Sequence, residues 1–386
     1  MRILKMGLGF LLAAQLLTGC LEPQPSPEIS AQTSGAFEVK VIGTGLKNPW
    51  SISAVFDGSL LLTEKQGRLF RYKSWGRQTL TGLPDDIYVS GQGGLLDVIP
   101  APDFEETQEI YFSYAYGTEA ANGTALARAR LGAEQYEPTP LEDVTIIFRA
   151  DPPKAGSSHF GGKIAFLPDD TLVLTLGDGF GYREDAQKAD THLGKLVRLN
   201  RDGTVPADNP FKGQEKNGAA FKPEIYSMGH RNPQGLAYDA QTDTLWSHEH
   251  GPRGGDELNR IEPGTNYGWP IATTGRDYQG ARISPFETYE GMVDPVYDWV
   301  PSIAPSGLAI YRGEMFPEWN GDALIGGLAS RDLRRVDLEN GVAVGEESLL
   351  ADLEGRIRDV RIARDGSVLI LIEHPENGKL IKLMPK

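Results

Sequence analysis

The sequence predicts an all-β fold, a six-bladed β-propeller, on three observations. A hairpin signature recurs six times, 46 Gly and 26 Pro punctuate the chain without any long helical period, and polar turns are spaced between the hairpins. The repeating unit is a turn rich in Asp, Gly or Asn, a β-prone apolar run, a second turn, and a strand with a basic residue near its end. Short β-branched and aromatic runs closed off by turn residues at both ends are strands rather than helices. Six such units close most naturally by radial repetition, which leaves few unpaired sheet edges. A pair of packed β-sandwiches is the competing arrangement.

In chain order, Asp57-Gly58-Ser59-Leu60-Leu61-Leu62-Thr63 leads to Gly67-Arg68-Leu69-Phe70-Arg71, and Glu109–Tyr114 leads to Ala125–Ala129. Asp169–Thr175 leads to Gly194–Leu199, and Thr242–Ser247 to Asp256–Ile261. Asn320–Ile325 leads to Asp332–Val336, and Asp365–Leu371 to Gly378–Leu383. The early run Phe37–Ile42 is available to complete the last unit.

The N-terminus reads differently. Arg2 and Lys5 precede an apolar stretch from Leu8 to Leu17, and Leu17-Thr18-Gly19-Cys20 follows. A charged start, a short apolar core and small residues at the cleavage point make residues 1–19 a secretory signal, too short to span a bilayer. The string resembles the lipobox of bacterial lipoproteins, which implies a lipidated Cys20 and a periplasmic protein tied to the membrane through that residue alone; an ordinary cleaved signal with an incidental cysteine is the plainer alternative. Cys20 is the single cysteine, so no internal disulfide forms. Residues 20–36, with Pro23, Pro25 and Pro27, read as a tether, and residues 37–386 as one globular domain. The formal charge of -15 repels phosphate backbones and argues against a nucleic-acid partner.

The candidate chemistry lies in the polar turns. His159 follows two serines and precedes two glycines; a neutral imidazole suits a general base. Asp178, in Gly177-Asp178-Gly179, is a carboxylate of the kind that holds such a base in its tautomer, although a structural turn accounts equally well for either residue alone. Arg231 and Asn232 offer a fixed cation and an amide at a Gly/Pro-bounded turn, with a loop salt bridge as the plainer alternative. Arg356 and Arg358 flank Ile357, so a strand aims both to one face, costly unless an anion lies between them. His248-Glu249-His250 lacks the spacing of a helical zinc site, whereas Asp256, Glu257 and nearby carbonyls are hard oxygen donors suited to Ca²⁺, or simply a solvated acidic turn.

Taken together, Gly91-Gln92-Gly93-Gly94-Leu95-Leu96, His159, Gly177-Asp178, Gly229-His230-Arg231-Asn232-Pro233-Gln234-Gly235, Gly251-Pro252, Asp256-Glu257, Asn266-Tyr267-Gly268-Trp269-Pro270, Ala304-Pro305-Ser306 and Arg356-Ile357-Arg358-Asp359 resemble the soluble pyrroloquinoline quinone (PQQ)-dependent aldose sugar dehydrogenases. The resemblance runs in order from about residue 45 to the C-terminus. It implies a six-bladed propeller that oxidises aldoses to lactones, with PQQ and Ca²⁺ as cofactors, a sugar as substrate and a further electron acceptor of unknown identity. By the same resemblance, His159 is the base, Asp178 orients it, and Arg231 polarises the quinone carbonyl. Gln92, Arg231, Asn232, Arg356 and Arg358 hold the cofactor; the carbonyls of Gly251 and Pro252 reach its Ca²⁺, and Asp256, Glu257 and Tyr267 match a structural Ca²⁺ site. The chain departs from the pattern at Ala329, where the better-known glucose enzymes place a lysine against the cofactor; Arg331 is a nearby substitute. Two other functions stay open on the residues: a Ca²⁺-dependent propeller hydrolase such as a lactonase, and a non-catalytic binding propeller.

Overall fold

Each of the six hairpins closes where its turn chemistry puts it. The computed structural model describes residues 30–32, 34–73, 76–133 and 138–386; residues 1–29, which hold the signal segment and Cys20, lie outside the described residues. Leu60–Glu64 pairs antiparallel with Arg68–Lys73, Glu109–Gly117 with Asn122–Leu131, and Leu172–Leu176 with Lys195–Leu199. Thr244–Glu249 pairs with Asp256–Ile261, Ala323–Gly327 with Leu333–Glu339, and Val368–Glu373 with Gly378–Pro385.

The basic residue near the end of the unit has a structural purpose. Asp57, Asp169 and Asp365 each accept the backbone N–H and the hydroxyl of the residue two places on, Ser59, Thr171 and Ser367, which closes the turn before the apolar run. A cation from the partner strand then clasps the same carboxylate: Arg71 on Asp57 at 2.6 Å, Arg198 on Asp169, and Lys382 on Asp365 at 2.5 Å. One turn signature therefore fixes both the turn and the register of the hairpin.

Each hairpin gains an inner strand and an outer one. The inner strands are Pro49–Ala54, Leu95–Pro100, Ile164–Phe166, Pro233–Asp239, Pro305–Ile310 and Arg356–Ile362. Each touches the next in that order, and the last touches the first, so they line a closed ring. The outermost strand of the last sheet is Phe37–Leu46, paired antiparallel with Gly378–Pro385, so the N-terminal strand closes the ring onto the C-terminus. The first two hairpins share one eight-stranded sheet, joined by a short parallel pairing of Leu80 and Thr81 with Thr139 and Pro140. Ser30–Gln32, inside the stretch read as tether, runs parallel to Glu347–Leu349 as an added edge strand. Helix among the described residues is confined to Phe104–Thr107 and three-residue to five-residue 3₁₀ turns.

The core is divided among the sheet-to-sheet interfaces. Leu172, Leu174, Leu176, Val197 and Leu199 pack on Tyr111, Leu126 and Phe148 of the preceding sheet, while Ile52 and Leu62 of the first sheet pack on Leu46, Leu371 and Leu380 of the last. Middle strands are covered on both faces, so all five residues of Leu172–Leu176 are buried and no polar alternation survives. Each large apolar side chain so buried contributes about 1.5–3 kcal/mol.

The ring's interior is bolted by charge. Lys163 Nζ reaches Asp359 Oδ1 at 2.9 Å, Arg361 reaches Asp97 at 3.2 Å, and these carboxylates also accept Ile52 N and Ile164 N, each at 2.9 Å. Four inner strands are tied by this one network. Asp97 directly follows the Gly91–Leu96 motif and Asp359 ends the Arg356–Asp359 motif, and their role here is to tie the inner strands together.

Candidate functional site

Because the inner strands run the same way along the channel, their first residues gather at one rim, together with the last residues of the strands beside them. The polar motifs occupy those positions. Gln92 precedes Leu95–Pro100, His159 precedes Ile164–Phe166, Arg231 and Asn232 precede Pro233–Asp239, and Arg356 and Arg358 open Arg356–Ile362. Asp178, His250, Leu328 and Glu373 stand at or just beyond the ends of the adjoining strands.

A cavity of about 270 Å³ opens there, lined by Gln92, Asn232, Arg356 and Arg358 together with Trp50, Lys65, Leu328 and Glu373. Arg356 Nε and Arg358 Nη2 both donate to Glu373 Oε2, at 3.0 and 3.1 Å. The anion that the paired arginines call for is thus partly supplied by the chain itself. Despite its burial, these two cations hold the Glu373 carboxyl below the usual range. Three cations face one carboxylate in the cavity, and Arg358 Nε is buried without a hydrogen-bond partner among the described residues. Such a surplus fits a planar polyanion, and PQQ, a tricarboxylate, has that chemistry.

His159 is held from two sides. Its backbone N–H donates to Gln92 Oε1 at 2.7 Å, in a left-handed conformation (φ 54°) that non-glycine residues adopt at a cost. Its Nδ1 lies 2.6 Å from Asp178 Oδ1, which fixes the tautomer with Nδ1 protonated and leaves Nε2 as the basic nitrogen. Asp178 also accepts Phe180 N–H at 2.8 Å and Trp269 Nε1–H at 2.8 Å, so three donors converge on a fully buried carboxylate. Burial pulls the imidazole below its ordinary pKa; Asp178 opposes this, and Arg231 and Lys154 add to it.

Among the described residues no carboxylate pairs with the Arg231 guanidinium. Its Nη1 donates to the carbonyls of His250 and Gly251 at 2.9 and 2.7 Å, its Nη2 to Tyr278 Oη at 3.3 Å, and it lies 5.3 Å over the Trp269 ring. Glu249 grips the turn from below by accepting the backbone N–H groups of both Arg231 and Asn232. With Phe180, Pro252, Trp269 and Tyr278, Arg231 lines a second cavity of about 290 Å³ on the other side of the Arg231-Asn232 turn.

The oxygen donors divide. Gly251 O already accepts Arg231, and Pro252 stands beside it. Asp256 is satisfied by Gly251 N, Ser302 Oγ and Ala304 N. The Tyr267 hydroxyl bonds Arg260 O and Glu262 N at the far end of the strand that Asp256 begins, so Asp256 and that hydroxyl do not meet. Glu257 sits across from Glu249 and Asp298 in the sheet. Burial first, and Glu249 second, push its carboxyl well above the usual range. Asn259 Oδ1 beside it is buried without a hydrogen-bond partner among the described residues. These oxygens fit a hard cation near Glu257, and the Gly251-Pro252 carbonyls fit one only with further oxygens from a ligand. Among the described residues, no three His, Cys, Asp or Glu side chains converge as a ready-made metal site. His248, Glu249 and His250 point to separate partners, in line with the missing zinc spacing.

Sequence reasoning missed Trp50, Lys65, Glu373, Phe180 and Tyr278. Trp50 and Glu373 had a usable signal: they occupy, in their own units, the positions that the recognised motifs occupy in the others. Arg331 is exposed and does not line the cavity.

Comparison with known proteins agrees with this geometry. Residues 46–382 match the family model described as Glucose / Sorbosone dehydrogenase. The chain is 38% identical to the aldose sugar dehydrogenase YliI of Escherichia coli, over 90% of this chain and 93% of that protein. A solved glucose dehydrogenase superposes with a TM-score of 0.85 at 42% identity, covering 89% of this chain and 99% of its own. The PQQ-bound form of an aldose sugar dehydrogenase from Streptomyces coelicolor superposes with a TM-score of 0.72 at 27% identity, covering 90% and 98%. With its β-propeller relatives, and with the rim just described, this chain belongs to the glucose/sorbosone dehydrogenase family of sugar oxidoreductases.

Proposed function

We propose that the protein is a six-bladed propeller that oxidises aldoses to lactones with PQQ and Ca²⁺ at the channel rim. The observation that carries this reading is the His159–Asp178 pair beside a cavity whose lining holds more cations than carboxylates. Bound PQQ supplies a two-electron hydride acceptor, and Ca²⁺ a Lewis acid.

The chain's residues then divide the work. Gln92, Asn232, Arg356 and Arg358 hold the cofactor's polar rim, and the carbonyls of Gly251 and Pro252 are donors toward its metal. Glu257, facing Glu249 and Asp298 across the sheet, marks the region of a second, structural ion; Asp256 and Tyr267 join that reading through the family resemblance, and their side chains are engaged by other partners. His159 Nε2 takes the proton of the anomeric hydroxyl while the C1–H bond leaves with its electron pair and C1=O forms, giving the lactone. Asp178 stabilises the imidazolium that results. Arg231 presents its guanidinium where negative charge develops, a placement that needs no reorganisation during the reaction.

Reconstitution tests the reading. Apo protein should reduce a dye at the expense of aldoses only when both PQQ and Ca²⁺ are supplied. Folded protein that stays inactive under those conditions, or that hydrolyses lactones without a quinone, contradicts it. A lipidated Cys20 on the periplasmic side belongs to the same proposal, on the strength of Arg2, Lys5 and the apolar run to Leu17. Cys20→Ala should move the protein from the membrane to the soluble fraction, and unchanged fractionation argues against the anchor.

A further inference from the structure

We infer that Lys65, which follows the strand Leu60–Glu64, is the third cation that anchors the anionic cofactor; the inference rests on the PQQ reading above. Lys65 lines the same cavity as Arg356, Arg358 and Gln92. Its ammonium donates to Gly91 O at 2.8 Å, beside Gln92, and no carboxylate pairs with it among the described residues. The one carboxylate in that lining, Glu373, is already shared by the two arginines.

A lysine brought beside two arginines raises the energy of the empty protein, since burial and both guanidiniums disfavour its charge and Glu373 offsets them in part. Charge held in that way is relieved when an anion arrives. The partner it waits for is a carboxylate, and the two arginines alone would leave the Gly91 side of the cavity without a cation. Position 329 contributes no charge, and Arg331 is exposed outside the cavity. Lys65 therefore supplies from the first sheet the cation that a lysine at 329 would supply from another.

The test is equilibrium binding of PQQ to apo protein in the presence of Ca²⁺, followed by calorimetry or by quenching of intrinsic fluorescence, with no turnover required. Lys65→Met should weaken PQQ binding by roughly ten-fold or more, the loss expected for one charge-assisted contact. It should also flatten the dependence of Kd on salt. Lys65→Arg should keep most of the affinity. Lys65 is only part-buried and bonds one carbonyl, so an unchanged melting temperature is expected for both variants. Wild-type binding with an equal Kd and salt dependence in Lys65→Met overturns this assignment and leaves the PQQ reading standing. A wild-type protein that takes up no PQQ overturns both.

Discussion

Asp178→Asn removes one charge and keeps the shape, and the three donors around Asp178 show why the change is severe. His159 Nδ1 and Phe180 N–H both face Oδ1, while Trp269 Nε1–H faces Oδ2. An asparagine has one acceptor oxygen, so whichever way its amide turns, its NH₂ group meets a donor. If the NH₂ faces His159, the imidazole must accept at Nδ1 and carry its proton on Nε2, the nitrogen assigned as base. If it faces Trp269, a buried indole N–H is stranded instead. The lost attraction between carboxylate and imidazolium is about 4 kcal/mol, taking charge centres roughly 4 Å apart and an effective dielectric of about 20. That corresponds to about a thousand-fold, and allowing for the retained hydrogen bond, kcat should fall on the order of 10²–10³-fold. The sugar KM should move only a few-fold, because Asp178 is fully buried behind His159. The assay is aldose-dependent dye reduction by protein loaded with PQQ and Ca²⁺. A folded, loaded variant whose kcat stays within about three-fold of wild type would refute the assignment of His159 and Asp178 as base and orienter.

Two further outcomes follow from the packing. Lys163→Met leaves Asp97 and Asp359 buried without the ammonium between them, and denaturant unfolding should register a loss of about 3–5 kcal/mol, whereas a loss below about 1 kcal/mol would mean that the network does not close the ring. His248 is fully buried and held neutral, its pKa pulled down to about 4 by burial, with Gly307 O opposing and Lys163 adding to the shift. The unfolded chain, titrating near 6.5, then binds more protons than the folded one between pH 6.5 and 4, so this residue's contribution is intact above 6.5 and is lost as the pH falls toward 4. Relative to wild type, His248→Gln should therefore gain up to about 3 kcal/mol on acidification across that window, and a pH-independent difference would contradict it.

The hairpins were legible because each is an apolar run between turn residues, and in three of them an aspartate closes the turn and a cation returns to it. The inner strands were not. Pro49–Ala54, Pro233–Asp239 and Pro305–Ile310 start with proline and carry polar residues into the channel, so from sequence they look like turns. The outer strands Gly76–Thr81 and Val342–Leu349 are largely solvent-facing and have no apolar period to detect. At the site, the residues with a distinctive neighbourhood, such as His159 between serines and glycines or Arg231 in its Gly/Pro-bounded turn, could be singled out. Lys65 could not, since a lone lysine after a strand resembles any surface lysine until the ring brings it beside Arg356 and Arg358. Asp256 and Tyr267 rested on the family resemblance rather than on a local signature, and their side chains bond different partners at opposite ends of the strand Asp256–Ile261.

A crystal structure of the protein with PQQ and Ca²⁺ bound tests the central claim most directly. The account predicts the cofactor in the cavity of Gln92, Asn232, Arg356 and Arg358, with one of its carboxylates on Lys65 and with His159 facing the sugar side. Cofactor found elsewhere on the ring, or a rim cavity that stays free of it at saturating concentration, would contradict the account.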